Sequence, residues 1–97
     1  MTREVIFRPQ ASREALEVRQ WYEARRAGLG SEFGVEVDAV VNRIIENPGA
    51  FPKVRGETRR AVLTRFPYAI YFRMTNAEIV VLAVHGRQDP QRWQTRS

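Results

Sequence analysis

The chain has no cysteine, which excludes disulfide scaffolds, Cys-ligated zinc and thiol nucleophiles together. It has one histidine, His85, with only Asp89 as a carboxylate close to it in sequence, so a clustered metal site is not expected. No apolar run approaches the ~20 residues of a membrane span. The opening MTREVIFRPQ lacks a signal-peptide core, and a cytoplasmic protein is expected. The elbow GxSxG is missing. Ser12, Ser31 and Ser97 fall on helix flanks or at the terminus, where a Ser-His-Asp hydrolase has no use for them. GLGSEFG at 28–34 has no strand before it, so its glycines serve a helix turn rather than a phosphate cradle. No cofactor is expected.

What is present is a single folded domain, 1–97. With 43% apolar and 10% aromatic residues, a chain of 97 residues can bury one modest core. Lysine is nearly absent too: fifteen of the sixteen basic residues are Arg, Lys53 being the exception. Residues 1–52 carry seven Arg against eight carboxylates, a net of −1. Residues 53–97 carry nine basic residues against Glu57, Glu78 and Asp89, a net of +6. Arginine suits bidentate binding of carboxylate or phosphate. The basic half therefore reads as a surface for an acidic partner, either nucleic acid or an acidic protein segment. A merely solvated Arg-rich face is the plainer alternative.

The apolar pattern orders the elements. Arg3 to Arg8 alternates, with Val5 and Phe7 on one face and Ile6 on the other, as in a strand. Pro9 opens a helix, where its missing N–H costs nothing. Ala11, Ala15, Val18 and Tyr22 give that helix one apolar face up to Gly28, with Leu16 off the stripe and Trp21 at its margin. A second helix runs from about Leu29 to Asn47, with Leu29, Phe33, Val37, Val40 and Ile44 aligned, and ends at Asn47-Pro48-Gly49. Two helices joined by a tight Gly-containing turn should pack as an antiparallel hairpin. Phe51 to Thr58 reads as a loop. Strands follow at Arg60–Arg65, Tyr68–Met74 and Glu78–His85, joined by hairpin turns at Phe66-Pro67 and Thr75-Asn76-Ala77. The last strand is apolar on both faces and should be central. The expected fold is α+β: an N-terminal strand, a helical hairpin, then three antiparallel strands in one twisted sheet.

The stretch VVLAVHGRQDPQRW, Val80 to Trp93, delivers His85 and Arg87 to a strand end. Two readings are open there. Metal-free RNA cleavage needs a base, an acid and cations around the phosphorane. Arg60, Arg65, His85 and Arg87 could converge to supply them, with His85 as acid or base. Alternatively His85 caps the core by donating to a backbone carbonyl, and Tyr68, Tyr71 and Trp93 are core or rim residues.

Read together, VIFRPQA (5–11), WYE (21–23), GLGSEF (28–33), IIENPGAFP (44–52), RRAVLTRFPYAIYF (59–72) and VVLAVHGRQDPQRW (80–93) resemble the RelE/ParE toxins of bacterial type II toxin–antitoxin systems. The most specific part is RRAVLTRFPY followed by LAVHGRxxPxxW. The resemblance implies a twisted antiparallel sheet with two N-terminal helices, and a neutralising antitoxin, usually acidic and partly disordered until bound. RelE-like members cut mRNA on the ribosome with basic residues on the sheet and a C-terminal tyrosine. ParE-like members poison DNA gyrase and lack that set. Arg60 and Arg87 match basic positions, whereas Val62 and Ala69 stand where RNA-cutting members have basic residues. Trp93 stands in place of the tyrosine, and an indole cannot exchange protons as a phenol does. Gln88 stands where many members have a further Arg.

The ParE-like branch is therefore the leading expectation, with a ribosome-dependent endoribonuclease as the alternative and a binding module without toxicity as a third. Target or anion contact is expected from Arg59, Arg60, Arg65, Arg87 and Trp93. Antitoxin contact is expected from Leu16, Trp21, Arg60 and Arg87. Leu16 and Trp21 are apolar residues rimmed by Arg13, Arg19 and Arg25. If the chain cuts RNA, the catalytic set would be Arg60, His85 and Arg87.

Overall fold

A computed structural model describes residues 3–86. Its elements are β1 (Glu4–Phe7), α1 (Pro9–Arg25), α2 (Leu29–Glu46), β2 (Lys53–Arg55), β3 (Thr58–Val62), β4 (Tyr68–Met74) and β5 (Glu78–Gly86). The five strands form one sheet in the order β1-β5-β4-β3-β2. β1 runs parallel to β5, and the other neighbours are antiparallel. This is the α+β arrangement expected from the periodicities, with β5 inside the sheet.

One strand was not expected. Lys53–Arg55 lies in the segment read as a loop, yet it pairs with β3 through Lys53↔Arg59 and Arg55↔Thr58. Among the described residues four strands follow the helices, not three. All three β2 residues are exposed, so no apolar alternation marks the strand. Gly56, at a φ of 53°, makes the turn that returns the chain to β3.

The helical hairpin is closed by a carboxylate. Glu23 accepts the N–H groups of Gly28 at 2.9 Å and Gly30 at 3.0 Å. Those two bonds, Gly28 foremost, hold its pKa below the ordinary carboxylate value. Gly28 sits at a φ of 90°, in the left-handed region. Gly30 is required for space, because a Cβ there would lie 2.5 Å from the Arg19 carbonyl oxygen. α1 and α2 approach backbone to backbone at that point.

The strand expected at Arg60–Arg65 ends instead at Val62. The cause is Glu36 on α2, whose carboxylate accepts the Thr64 N–H, the Thr64 hydroxyl and the Arg65 N–H. Those amides are drawn to the helix rather than to a sheet ladder. Burial works to raise the Glu36 pKa, but the donors from Thr64 and Arg65 outweigh it and leave the group below its ordinary value. The β3–β4 connection is thereby tied to α2, with Leu63 and Phe66 buried beneath it. Tyr22 packs edge-on against Phe66, and burial together with Tyr68 raises the Tyr22 pKa.

The register decides which side chains share a face, since directly paired residues of antiparallel strands point the same way. Ala61↔Ile70↔Val84 and Phe72↔Val81 lie toward the helices. They pack with Phe33, Val40, Ile44 and Ala11 into the main core. Between Tyr71↔Ala83 and Phe72↔Val81, β5 holds the extra residue Leu82, a bulge that keeps both halves of the strand in phase with the core. Among the described residues no helix is long and apolar enough to cross a membrane.

Candidate functional site

The sheet face away from the helices carries Arg60↔Tyr71↔Ala83 as one row and Val62↔Ala69↔His85 as the next. Ala69, Tyr71 and Ala83 are buried and form a second small cluster with Val62. Arg60 is thus the cation of an otherwise apolar row. Its Nε is buried, with no hydrogen-bond partner among the described residues. Val62 and Ala69 stand directly opposite each other. The two positions where the RNA-cutting relatives of the resemblance would be basic form an adjoining apolar pair.

The expected arginines do not converge. Arg59 and Arg60 are adjacent in β3, so strand alternation sends them to opposite faces. Arg59 donates to the carbonyls of Phe51 at 2.7 Å and Gly49 at 3.5 Å, securing the loop after α2. Arg65 lies beyond the end of β3 and pairs with Glu32 of α2 at 2.6 Å. Of the expected site residues, Arg60 and His85 lie on this helix-free, open face, on β3 and β5 with β4 between them. Arg73 of β4, two residues from Tyr71, shares the face, on which Ala69, Tyr71, Ala83 and His85 are buried. Arg87 and Trp93, and the contacts expected of them, lie outside the described residues.

His85 is 2% exposed and Glu14 is 8% exposed. Glu14 Oε2 lies 2.6 Å from His85 Nε2, and Glu14 Oε1 accepts the Val84 N–H at 3.0 Å. The sequence reading that gave His85 a capping role named a backbone carbonyl as its acceptor. The partner is a carboxylate from α1 instead. With that carboxylate ionised, Nε2 carries a proton and donates it, which fixes the plane of the imidazole. Glu14 was missed by sequence reasoning, although a signal existed. It falls at i+3 from Ala11 and beside Ala15, a carboxylate on the otherwise apolar stripe of α1.

Leu16 and Trp21 are the exposed apolar residues of α1, at 53% and 50%. They do not make one patch, because five residues of α-helix separate them by about 140° around the axis. Leu16 lines a groove of about 300 Å³ between α1 and α2, together with Phe7, Ala15, Phe33 and Val37. Arg19 and Asp38 stand at the same groove. Gly34 leaves room for the Arg19 guanidinium, which would lie 3.3 Å from a Cβ at that position. Trp21 sits elsewhere, covered on one face by Arg25, whose guanidinium carbon is 3.9 Å from the ring centre. Among the described residues no group of His and carboxylates is placed to hold a metal ion.

No family model matches the chain, and no curated protein matches it. Solved structures do. A chain of the chromosomal ParDE TA system from P. aeruginosa superposes with a TM-score of 0.66 at 19% sequence identity, covering 88% of this chain and 96% of that one. At that identity the likeness is one of fold: this chain has the ParE-like fold.

Proposed function

We propose that this chain is the toxin of a type II toxin–antitoxin pair, that it inhibits growth by poisoning DNA gyrase, and that a cognate antitoxin neutralises it by direct binding. The toxin–antitoxin reading rests on the fold shared with a chain of the ParDE TA system over nearly the whole length of both. The choice of gyrase over the ribosome rests on the open face. A phosphoryl-transfer site needs cations and proton-transfer groups gathered around the reacting phosphate. Here Val62 and Ala69 form an apolar pair, Arg59 and Arg65 point away, and His85 is buried against Glu14. Arg60 and Arg73 remain, and a guanidinium binds anions without exchanging protons.

The antitoxin is an acidic chain encoded alongside. Its carboxylates meet the basic half of the protein, and an apolar side chain enters the α1–α2 groove at Leu16. Arg60 and Arg87, the latter outside the described residues, are the two arginines that the antitoxin's carboxylates engage. Induction of the chain alone should arrest growth, and co-expression of the adjacent acidic chain should restore it through a complex that co-purifies. Growth unaffected by induction, in cells holding the folded protein, would reject the toxin reading. Cleaved mRNA in the arrested cells would replace gyrase with the ribosome as target.

A further inference from the structure

The ladder between β1 and β5 stops at Phe7↔Val81, with the Arg8 N–H closing on the Val81 carbonyl. β5 continues to Gly86, so its outer edge beyond Val81 has no strand beside it among the described residues. A buried backbone N–H on such an edge must find another acceptor. For Val84 that acceptor is Glu14 Oε1, at 3.0 Å, and the same carboxylate reaches His85 Nε2 through its second oxygen. One side chain from the helical layer therefore grips both the backbone and the side chain of the strand end. His85 in turn lies beside Tyr71, with ring centres 6.4 Å apart, and Tyr71 stands across the ladder from Arg60. The chain of contacts runs from α1, around the sheet edge, to the one cation in that row of the open face.

We propose that Glu14 is a positioning residue for the toxin's working surface: it clamps the end of β5 and, through the buried His85 and Tyr71, presets the position of the partly exposed Arg60 before a target arrives. Catalytic chemistry is not assigned to it. The proposal rests on the toxin reading above for its functional half, while the clamp itself is a property of the fold. A preset surface avoids ordering on binding, and a loosened one binds more weakly with the same residues present.

The discriminating variants are Glu14→Ala, Glu14→Gln and Val40→Ala. Val40→Ala truncates the main core on α2, leaves the Glu14 hydrogen bonds in place, and serves as a destabilised control. Glutamine keeps an oxygen for the Val84 N–H and presents an NH₂ to the imidazole, so the ring proton moves to Nδ1. Amide exchange should show Val84 protection falling by about tenfold or more in Glu14→Ala relative to the amides of β3. Glu14→Gln should keep that protection, and its ¹⁵N spectrum should report the changed His85 tautomer. Growth inhibition, assayed well below each variant's melting midpoint, should fall by at least ~10-fold in Glu14→Ala, stay near the parent's level in Val40→Ala, and be largely restored in Glu14→Gln. Unchanged Val84 protection in Glu14→Ala would overturn the clamp. Equal growth inhibition by Glu14→Ala and Val40→Ala would overturn the positioning role. If the parent protein fails to inhibit growth, the toxin reading falls and takes the functional half with it, whereas amide exchange still decides the clamp.

Discussion

Glu36→Gln isolates one tie between the helical layer and the sheet. The Glu36 carboxylate receives three donors from the β3–β4 connection: the Thr64 N–H, the Thr64 hydroxyl and the Arg65 N–H. Hydrogen bonds to a charged acceptor contribute roughly 1.5–3 kcal/mol each when well buried. This site is only partly shielded from water, so solvent screening reduces the whole set to about 1–2 kcal/mol. For a domain of this size that corresponds to a fall of roughly 4–15 °C in melting midpoint at pH 7.

The pH dependence supplies a second, signed test. The folded-state pKa of Glu36 is depressed, by donors that outweigh burial. Its stabilisation is therefore fully present above the ordinary value of 4.5 and is lost as pH falls through the lower, folded value. Glu23 is also depressed and acts in the same direction at the α1–α2 turn, so the variant should keep part of the parent's acid sensitivity. Urea denaturation of parent and Glu36→Gln at pH 7 and at pH 3 measures both effects. The two curves should lie apart at pH 7 and approach each other at pH 3. An equal gap at both pH values, or none at pH 7, would refute the assignment of this tie to the ionised carboxylate.

Gly30→Ala places a Cβ against the Arg19 carbonyl at 2.5 Å, and the hairpin should lose about 1–3 kcal/mol in chemical denaturation. Leu16→Asp puts a charge into the α1–α2 groove and should weaken antitoxin binding at least ~10-fold in calorimetry without loss of fold. Trp21→Asp tests the opposite side of α1 separately, and if neither change alters affinity, α1 is not the docking helix. The double variant Arg60→Ala/Arg87→Ala should keep its fold and lose growth inhibition, while its antitoxin affinity falls and becomes less salt-dependent. Full toxicity in that variant would remove the shared anion site and direct attention to the helical hairpin.

Elements with a sustained apolar period were legible in the sequence. The stripe Leu29, Phe33, Val37, Val40, Ile44 defined α2, and the two-sided apolar run before His85 announced an interior strand. β2 was hidden because three exposed residues on an edge carry no period. The end of β3 was misread because Thr64 and Arg65 give their amides to a carboxylate 28 and 29 residues earlier in the chain. For the same reason the arginines could be counted but not aimed. Arg65 has its partner on α2 and Arg59 on the loop before β2, and both are contacts of tertiary structure. Glu14 was visible as an anomaly on an apolar stripe, yet its purpose appears only where β1 stops short of β5. Leu16 and Trp21 were both identified as off the core stripe. Helix geometry alone would have separated them.

The central claim, a gyrase-poisoning toxin whose open face lacks a ribonucleolytic set, meets its most direct test in a supercoiling assay. Purified protein is added to DNA gyrase, ATP and relaxed plasmid, alongside a parallel reaction of programmed ribosomes with end-labelled mRNA. Dose-dependent loss of supercoiling with gyrase-linked DNA breaks, reversed by the antitoxin, and intact mRNA are expected. Undisturbed supercoiling together with codon-dependent mRNA cuts would contradict the claim.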